Sequence, residues 1–452
     1  MLIAIVGIGL LGTLASAAAT WSSSYDELED IMLLNQGYNA RALSLPVTPC
    51  NFPAAPGHVP AAGFVRIAFH DMAPHNAAEG TGGLDASIAF ELTGVAGNDN
   101  AGPDFNNSLT FLSRFYSTRA SMADLIALGL YTAVRGCGGP SIPTRTGRKD
   151  ATAAGALGVP KVNDTQQGFK NDFARMGFSS QDMVKMVACG HTLGGVHAAQ
   201  FPQIIPPRTR PNDVANFDNT TAAFDNAVVV DYVSNNTINP LVVGPSNTAS
   251  DAKVFSADGG LTIRQLADPQ TYQNTCKDIL QRMVDTVPSG VQLTEPIQVY
   301  DVKPGKIKLS LSSNGNSLGF SGEIRVRTTH RPQSLIDNVS IQYRDRSGKD
   351  AGTITTAAVG TASGYDDSFT FYSFAANMSA KSSVSSFDVS ITGVDGSTSK
   401  FNNNGKGFHV QDAIFVQHPS SSVSPPDESG QQKVEVIATV RGSTSNVALF
   451  SF

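Results

Sequence analysis

The chain has 452 residues, of which 41% are hydrophobic and 15% charged, and its net charge is −6 at pH 7. This length allows two or three domains, and the apolar fraction is sufficient for folded cores. The acidic balance and the lack of a Lys/Arg run argue against nucleic acid or an anionic membrane as a partner, so small molecules are the expected ligands.

The N-terminal segment is typical of a secretory signal. An apolar run from Ile3 to Leu14 precedes Ala15-Ser16-Ala17, the small-x-small pattern read by signal peptidase. The alternative is a buried N-terminal helix, but the run is too short to span a bilayer. We expect residues 1–19 to be removed and the mature protein to be secreted. Glycosylation sequons, which fit that compartment, begin at Asn106, Asn163, Asn219, Asn235, Asn338 and Asn377.

Residues 20–290 are predicted to form a mainly α-helical domain. Ser121-x-x-Asp124 and Ser179-x-x-Asp182 resemble capping boxes before apolar runs. Within Gly63-Phe-Val-Arg-Ile-Ala-Phe-His-Asp71, a helix would place Arg66 and His70 one above the other on one face. A cation beside a proton-transfer group suggests chemistry, although an apolar helix with two polar residues at its surface would have the same pattern.

Residues 291–452 are predicted to form an antiparallel β-sandwich. Short runs alternate apolar and polar residues, with Gly, Asn and Ser between them. The runs begin at Ile307, Ile324, Val339, Phe369, Phe387, Ala413, Val434 and Val447. Ser420 to Gly430, rich in Ser and Pro, is expected to be a long loop before a final hairpin.

His191 is expected to lie in the helix that begins at Ser179, and His197 follows it six positions later. A neutral His191 could ligate a metal if an acceptor held its other ring nitrogen. His197 would point about 120° away on a continuous helix, so the two could not easily share a zinc ion. Gly194 and Gly195 could let the chain bend and bring His197 to another part of the same ligand.

Two loops combine carboxylate, hydroxyl and carbonyl oxygens, the ligands that Ca²⁺ prefers. Each set includes the residue directly after one of the two special histidines, His70 and His191. Solvated loop carboxylates are the alternative for either loop alone. The sets are Asp71, Gly83, Asp85 and Ser87, and Thr192, Asp218, Thr220, Ala223 and Asp225.

The four cysteines, Cys50, Cys137, Cys189 and Cys276, allow three pairings. Secretion would favour disulfides, whereas a reduced and buried thiol is the alternative for Cys189.

Three separated motifs together resemble the haem peroxidases of the plant, fungal and bacterial superfamily. They are Arg66-Ile-Ala-Phe-His-Asp71, Gly83-Leu-Asp-Ala-Ser87 and Gly190-His-Thr-Leu-Gly194, and they occur in the family's order and spacing. The resemblance covers about residues 24 to 287 and does not extend to the β-rich remainder. The signal peptide, calcium loops and Phe69 resemble the secreted class II enzymes, whereas His197 resembles a propionate-binding histidine of class I.

The resemblance implies a role for each matching residue around one haem b. His191 would be the axial iron ligand, and Asp258 would accept its other N–H. His70 would be the distal acid–base, oriented by Asn100, with Asn106 as a second candidate. The remaining expectations are charge stabilisation by Arg66, haem contacts from Phe69 and His197, two bound Ca²⁺ ions, and disulfides Cys50–Cys137 and Cys189–Cys276.

The expected function is reduction of hydrogen peroxide with one-electron oxidation of phenols or other small organic donors. A manganese site of the family's kind is not expected, because Val59, Gly63 and His197 occupy the positions of its carboxylates. The β domain would anchor or stabilise the enzyme. The alternative is a haem-containing protein with vestigial catalysis, in which the β domain binds a carbohydrate or a surface.

Overall fold

The computed structural model describes residues 20–50, 58–92, 100–206, 214–221, 223–427 and 429–442. The chain forms two units. The helical unit comprises residues 24–297 together with the short segment 361–368, and the β unit comprises residues 298–360, the chain from 369 onward and residues 20–23. The expected signal peptide lies outside the described residues. Within them, no helix is long and apolar enough to cross a membrane.

The helical unit is built around a central helix, α2, whose apolar face packs on helix α5. In chain order the helices are α1 Asp26–Leu33, α2 Pro60–Met72, α3 Ile88–Glu91, α4 Asp104–Leu112, α5 Met122–Gly136, α6 Gln166–Arg175, α7 Ser180–Gly190, α8 Ala227–Val233, α9 Pro240–Val243, α10 Ser250–Phe255, α11 Leu261–Gln265 and α12 Pro269–Val284. The 3₁₀ turns of this unit are Leu45–Val47 and Ser113–Phe115.

Local sequence signals set where the main helices begin. Pro60 occupies the first turn of α2, where its missing N–H costs nothing. The Ser121 side chain accepts the Asp124 N–H at the start of α5. Ser179 and Asp182 form a reciprocal capping box at α7. The helix starts expected from these two serines are therefore confirmed.

Both expected disulfides are present. Cys50 pairs with Cys137 at the end of α5, and Cys189 of α7 pairs with Cys276 of α12. All four sulfurs belong to the buried core of the helical unit. The second bridge fixes α7 to α12 one residue before the end of α7, and the alternative of a free Cys189 is wrong.

The β unit contains two facing antiparallel sheets, and with the short strands of the helical unit the strands number β1 to β16. They are β1 Gln36–Gly37, β2 Gly195–His197, β3 Val214–Asn216, β4 Val302–Leu311, β5 Ser317–Arg327, β6 Ile336–Arg344, β7 Asp350–Thr355, β8 Ala357–Ser363, β9 Ser368–Ser379, β10 Ser386–Gly393, β11 Thr398–Phe401, β12 Phe408–His409, β13 Ile414–Val416, β14 Ser422–Val423, β15 Val434–Glu435 and β16 Ala438–Val440.

One sheet has the order β8-β9-β5-β4, and the other has the order β11-β10-β6-β7 with β12 beside β10. Side chains from both sheets meet in one apolar core, where the rings of Phe320 on β5 and Phe387 on β10 lie 6.0 Å apart. This is the expected β-sandwich. The 420–430 segment is not all loop, because β14 lies in it and pairs with β15. The strand expected from Val447 lies outside the described residues.

Candidate active site

A cavity of about 590 Å³ lies inside the helical unit. Helices α2, α6, α7 and α10 and strand β2 contribute to its wall, which is largely apolar. Its aromatic residues are Phe69, Phe169, Phe173, Phe201 and Phe217. Its polar residues include Arg66, His70 and His191. A largely apolar cavity with a few placed polar groups is typical of a ligand or cofactor site.

Helix α2 brings Arg66, Phe69 and His70 to the cavity, as the spacing of four predicts. His70 Nδ1 lies 2.9 Å from Asn100 Oδ1, and Asn100 Nδ2 donates to Glu91 Oε2 at 2.8 Å. Because the amide nitrogen is committed to a carboxylate, the amide oxygen must accept the Nδ1–H of His70. That tautomer leaves Nε2 as an unprotonated acceptor for the cavity.

Burial sets the charge state of the two polar residues on α2. Burial, together with the nearby positive charge of Arg66, lowers the pKa of His70 to about 3 despite the hydrogen bond to Asn100. His70 is therefore neutral at ordinary pH. Burial also lowers the pKa of Arg66, to about 10, so the guanidinium stays charged. It lies over the Phe105 ring at 4.4 Å.

The loop before α4 requires a glycine to admit this guanidinium. Gly102 has φ of +113°, and a Cβ there would lie 3.2 Å from Arg66 Nη1. Asn100, two residues earlier, is buried on this loop. Asn106, the second candidate for orienting His70, is instead exposed on α4.

The partner of His191 is Asp251, which corrects the sequence-based assignment of Asp258. His191 Nδ1 lies 2.9 Å from Asp251 Oδ2, and the same oxygen accepts the amide of Asn239 at 2.8 Å. Asp251 is only 1% exposed and lies in the first turn of α10, which packs on α7. A fully buried carboxylate holds the imidazole N–H strongly and leaves the other ring nitrogen basic.

Asp258 has a structural role. Its carboxylate accepts the N–H groups of Leu261 and Thr262 and the Thr262 hydroxyl, at 2.6–3.0 Å. It therefore satisfies the free N–H groups at the start of α11. The prediction chose Asp258 because it lies in a recognisable motif. Asp251 belongs to no motif, and nothing in the sequence distinguishes it from other acidic residues.

His191 caps the C-terminal end of α7, where its N–H donates to Val187 O. Its ring is stacked on Phe217 at 4.5 Å between centroids and 7° between planes. Phe217 and Asn239 were not singled out in the sequence, since neither belongs to a recognisable motif. Together with Asp251 they fix both the tilt and the tautomer of the ring.

His197 reaches the cavity because the chain turns sharply after His191. Gly194 has φ of +80°, and a Cβ at Gly195 would lie 2.3 Å from Ala215 O across the β2–β3 pair. The two glycines thus turn the chain after α7 has ended and lead into strand β2, of which His197 is the last residue. The expected bend between His191 and His197 is therefore present. Burial lowers the pKa of the His197 imidazole.

The loop that contains Asp71 and Asp85, here called the distal loop, has its carboxylates bonded to its own backbone N–H groups. Asp71 Oδ2 accepts the N–H groups of Asp85 and Ala86, and Oδ1 accepts that of Ile88. Asp85 Oδ1 accepts the Ser87 N–H. Burial raises the pKa of Asp71 to about 8 despite these donors, and the charges of Asp85 and Glu91 add to the rise. No buried carboxylate oxygen is left unpaired in this part of the described chain.

The loop that contains Asp218 and Asp225, here called the proximal loop, differs because one of its carboxylate oxygens is unpaired among the described residues. Asp218 Oδ2 is buried and has no hydrogen-bond partner among the described residues. Thr220 Oγ1 lies 3.1 Å from Asp218 Oδ1 and 3.0 Å from Asp225 Oδ1, and its single hydrogen cannot be donated to both. Burial raises the pKa of Asp218, and repulsion from Asp225 raises it further. Thr192 Oγ1 donates to Asp225 O at 2.6 Å, which places this hydroxyl in the same group.

Fold and site define a helical domain in which two histidines, each held by a buried acceptor, line one cavity. Residues 54–270 match the family model described as peroxidase. The helical unit therefore contains a peroxidase domain over residues 54–270, and a β-rich region follows it in the chain.

The chain is also similar to individual proteins, two of which are named as peroxidases. A WSC domain-containing protein of Arthroderma benhamiae is 52% identical over 393 residues, which are 85% of this chain and 54% of that protein. L-ascorbate peroxidase 5 of Arabidopsis thaliana is 35% identical over 137 residues, 29% of this chain and 47% of that protein. Mitochondrial cytochrome c peroxidase of Neurospora crassa is 33% identical over 157 residues, 33% of this chain and 43% of that protein. The matches thus span about half the length of these relatives.

Proposed function

We propose that the protein is a haem peroxidase that reduces hydrogen peroxide and oxidises small organic donors by one-electron steps. One observation carries the proposal. His70 and His191 line the same cavity, and each has its Nδ1 held by a buried acceptor, Asn100 or Asp251. Both histidines therefore offer Nε2 to an occupant, one as a base and the other as a metal ligand.

The residues present fit a haem. The cavity volume of about 590 Å³ suits a flat macrocycle of this size, and its walls are apolar and aromatic. His191 would hold the iron, and the buried charge of Asp251 would make this ligand more electron-donating. Phe69 would lie against the ring, and His197 would contact a propionate. When bound, haem b would supply the redox chemistry that couples a two-electron oxidant to one-electron donors.

The distal residues would handle the proton and the charge. His70, neutral and presenting Nε2, would take the proton from one oxygen of hydrogen peroxide and deliver it to the other, which leaves as water. Arg66 would stabilise the negative charge that develops as the O–O bond breaks, since it is fixed and charged before the reaction begins. The hydrogen bond that His70 Nδ1 donates to Asn100 Oδ1 would keep the imidazole in the orientation that both proton transfers need.

A cation at the proximal loop is the second part of the proposal. The unpaired Asp218 oxygen and the crowded Asp225 carboxylate, with the hydroxyls of Thr192 and Thr220, match the hard oxygen set that Ca²⁺ prefers. Ala223 lies in this loop, and its carbonyl would complete the set. Thr192 directly follows His191, so the ion would steady the proximal ligand. A second Ca²⁺ at Asp71, Gly83, Asp85 and Ser87 is proposed from the motif resemblance.

We also propose that the protein is secreted after removal of residues 1–19 and that it carries N-glycans. The two disulfides support an oxidising compartment. Phenols are the proposed donors. The alternative of vestigial catalysis is not favoured, because Arg66, His70, Asn100 and His191 are all present and Asp251 completes the set.

The test is haem content and turnover of the purified protein, compared with His70→Leu. We expect a Soret band in both proteins, and peroxide-dependent oxidation of a phenolic dye that is greatly slowed in the variant. A screen with phenols, veratryl-type aromatics, ascorbate and Mn²⁺ would identify the donor class. A haem-loaded wild-type protein without turnover on any donor would refute the catalytic proposal, and loss of haem in His70→Leu would mean that the two histidines have exchanged roles.

A further inference from the structure

Three polar side chains from three separate segments meet at the edge of the cavity. His58 precedes α2, Asp104 is the first residue of α4, and His197 ends β2. One ligand atom from each lies within 4.8 Å of the other two. Among the described residues, this is the one group of three or more His, Cys, Asp or Glu side chains gathered so closely. Of the three, only His197 could be singled out from the sequence, because His58 and Asp104 belong to no motif.

A hydrogen bond explains only part of this arrangement. His58 Nδ1 lies 3.0 Å from Asp104 Oδ1, and these side chains are 17% and 20% exposed. The ring of His197 is stacked on that of His58, with centroids 4.7 Å apart and planes at 25°. In the described part of the chain, no hydrogen bond is made by the ring nitrogens of His197. Two imidazoles are thus held face to face beside one carboxylate, although only one of them bonds to it.

We propose that His58, Asp104 and His197 bind one divalent transition-metal ion at the edge of the cavity. Two imidazole nitrogens and one carboxylate oxygen suit borderline ions such as Zn²⁺, Cu²⁺ and Ni²⁺. Ca²⁺ and Mg²⁺ prefer sets made entirely of oxygen and are excluded on that ground. Three protein ligands leave a fourth position open for water or a carboxylate, and because Asp104 and His197 line the cavity, this position is on the cavity side.

The geometry needs little change to close on an ion. Ligand atoms around a tetrahedral Zn²⁺ lie roughly 3.4 Å apart, and here they lie within 4.8 Å of one another, so no separation must shrink by more than about 1.4 Å. Rotation of side chains that are partly exposed can supply this shift.

The test is calorimetric titration of the full-length protein with Zn²⁺ at pH 7, with excess Ca²⁺ present so that oxygen sites are filled. We expect one Zn²⁺ per chain. Affinity should fall by about 100-fold in His58→Ala and in Asp104→Asn, because each loses one of three ligands. His418→Ala, which removes a histidine from the β unit, is the matched control and should bind as wild type does. Cu²⁺ bound to the wild type should show electron-spin-resonance splitting from two nitrogens, and from one in His58→Ala.

Two results would overturn the proposal. One is a wild-type protein that takes up no Zn²⁺ under these conditions. The other is a loss of affinity below about tenfold in both His58→Ala and Asp104→Asn. Asp104→Asn keeps the size of the side chain, so it reports on the ligand even if His58→Ala folds poorly. The titration does not depend on haem or turnover, so its outcome is separate from that of the proposed peroxidase function.

Discussion

Substitution of Asp251 by Asn tests the proximal arrangement directly. The carboxylate is buried and accepts from His191 and Asn239 at 2.9 and 2.8 Å. Asn keeps the size of the side chain but removes the charge. A hydrogen bond to a charged group contributes about 1.5–3 kcal/mol and a neutral one about 0.5–1.5 kcal/mol, so the bond to His191 should weaken by roughly 1–2 kcal/mol. This corresponds to a factor of about 5 to 30.

The measured effect should be at least that large. Loss of the acceptor behind a metal-bound histidine typically lowers metal affinity or activity by about 10- to 100-fold. We therefore expect Asp251→Asn to reduce peroxide turnover by about tenfold or more and to shift the Soret band. The assay is steady-state oxidation of a phenolic dye at saturating peroxide, with the absorption spectrum recorded on the same sample.

Asp258→Asn is the matched control. Its carboxylate lies just before α11 and accepts from Leu261 and Thr262. Asn is also a good helix cap, so this variant should retain wild-type turnover and spectrum with a stability loss of a few tenths of a kcal/mol. A larger loss of turnover in Asp258→Asn than in Asp251→Asn would refute the assignment of Asp251 as the His191 partner.

Four further outcomes are expected. Burial holds the pKa of His70 near 3, and only the neutral ring can accept a proton, so turnover should stay level from about pH 7 to 4 and fall below pH 4. A pH–rate profile in which turnover already falls near pH 6.5 would contradict this effect of burial. Asn100→Ala leaves the His70 N–H buried without an acceptor, so kcat should drop by about tenfold or more while haem absorbance is retained, and equal kcat values would argue against the orienting role. Ca²⁺ at 100 times its Kd should stabilise the wild type by about 2.7 kcal/mol in thermal unfolding and leave Asp218→Asn nearly unchanged. Replacing both Cys189 and Cys276 by Ala should cost about 2–5 kcal/mol in denaturant unfolding, and an unaltered midpoint would mean that the bridge adds no stability.

The part of the site around Arg66 and His70 could be predicted because it depends on residues that are close together in the sequence. Arg66 and His70 lie four residues apart, and Pro60 and the apolar residues between them specify the helix that aligns them. The starts of α5 and α7 followed from Ser121 and Ser179 for the same reason. Asn100 was assigned from a short motif, and the structure places its amide against His70.

The proximal half could not be predicted in the same way, because it depends on how helices pack. Asp251 approaches His191 only through the contact between α10 and α7, over a separation of 60 residues. Asp258 lies in a more recognisable motif, but that motif encodes a helix cap. His58 and Asp104 show the same limit, since their meeting with His197 depends on α2, α4 and β2 coming together at one edge.

The β unit could be predicted to the level of its fold. Period-two runs located its main strands, including those that contain Phe320 and Phe387. The short strand β14 was missed because Ser422 and Val423 are flanked by Ser and Pro, which indicate a loop. A pair of residues is too short to show alternation, and their pairing with Val434 and Glu435 depends on a turn rather than on local pattern.

The central claim is that His70 moves protons for peroxide bound in the cavity that His191 shares. The most direct measurement is the second-order rate at which the haem-loaded protein consumes hydrogen peroxide, followed by stopped-flow absorbance in wild type and His70→Leu. Loss of a positioned acid–base should slow this step by about 10²- to 10⁴-fold, with haem content unchanged. Equal rates in the two proteins would contradict the account.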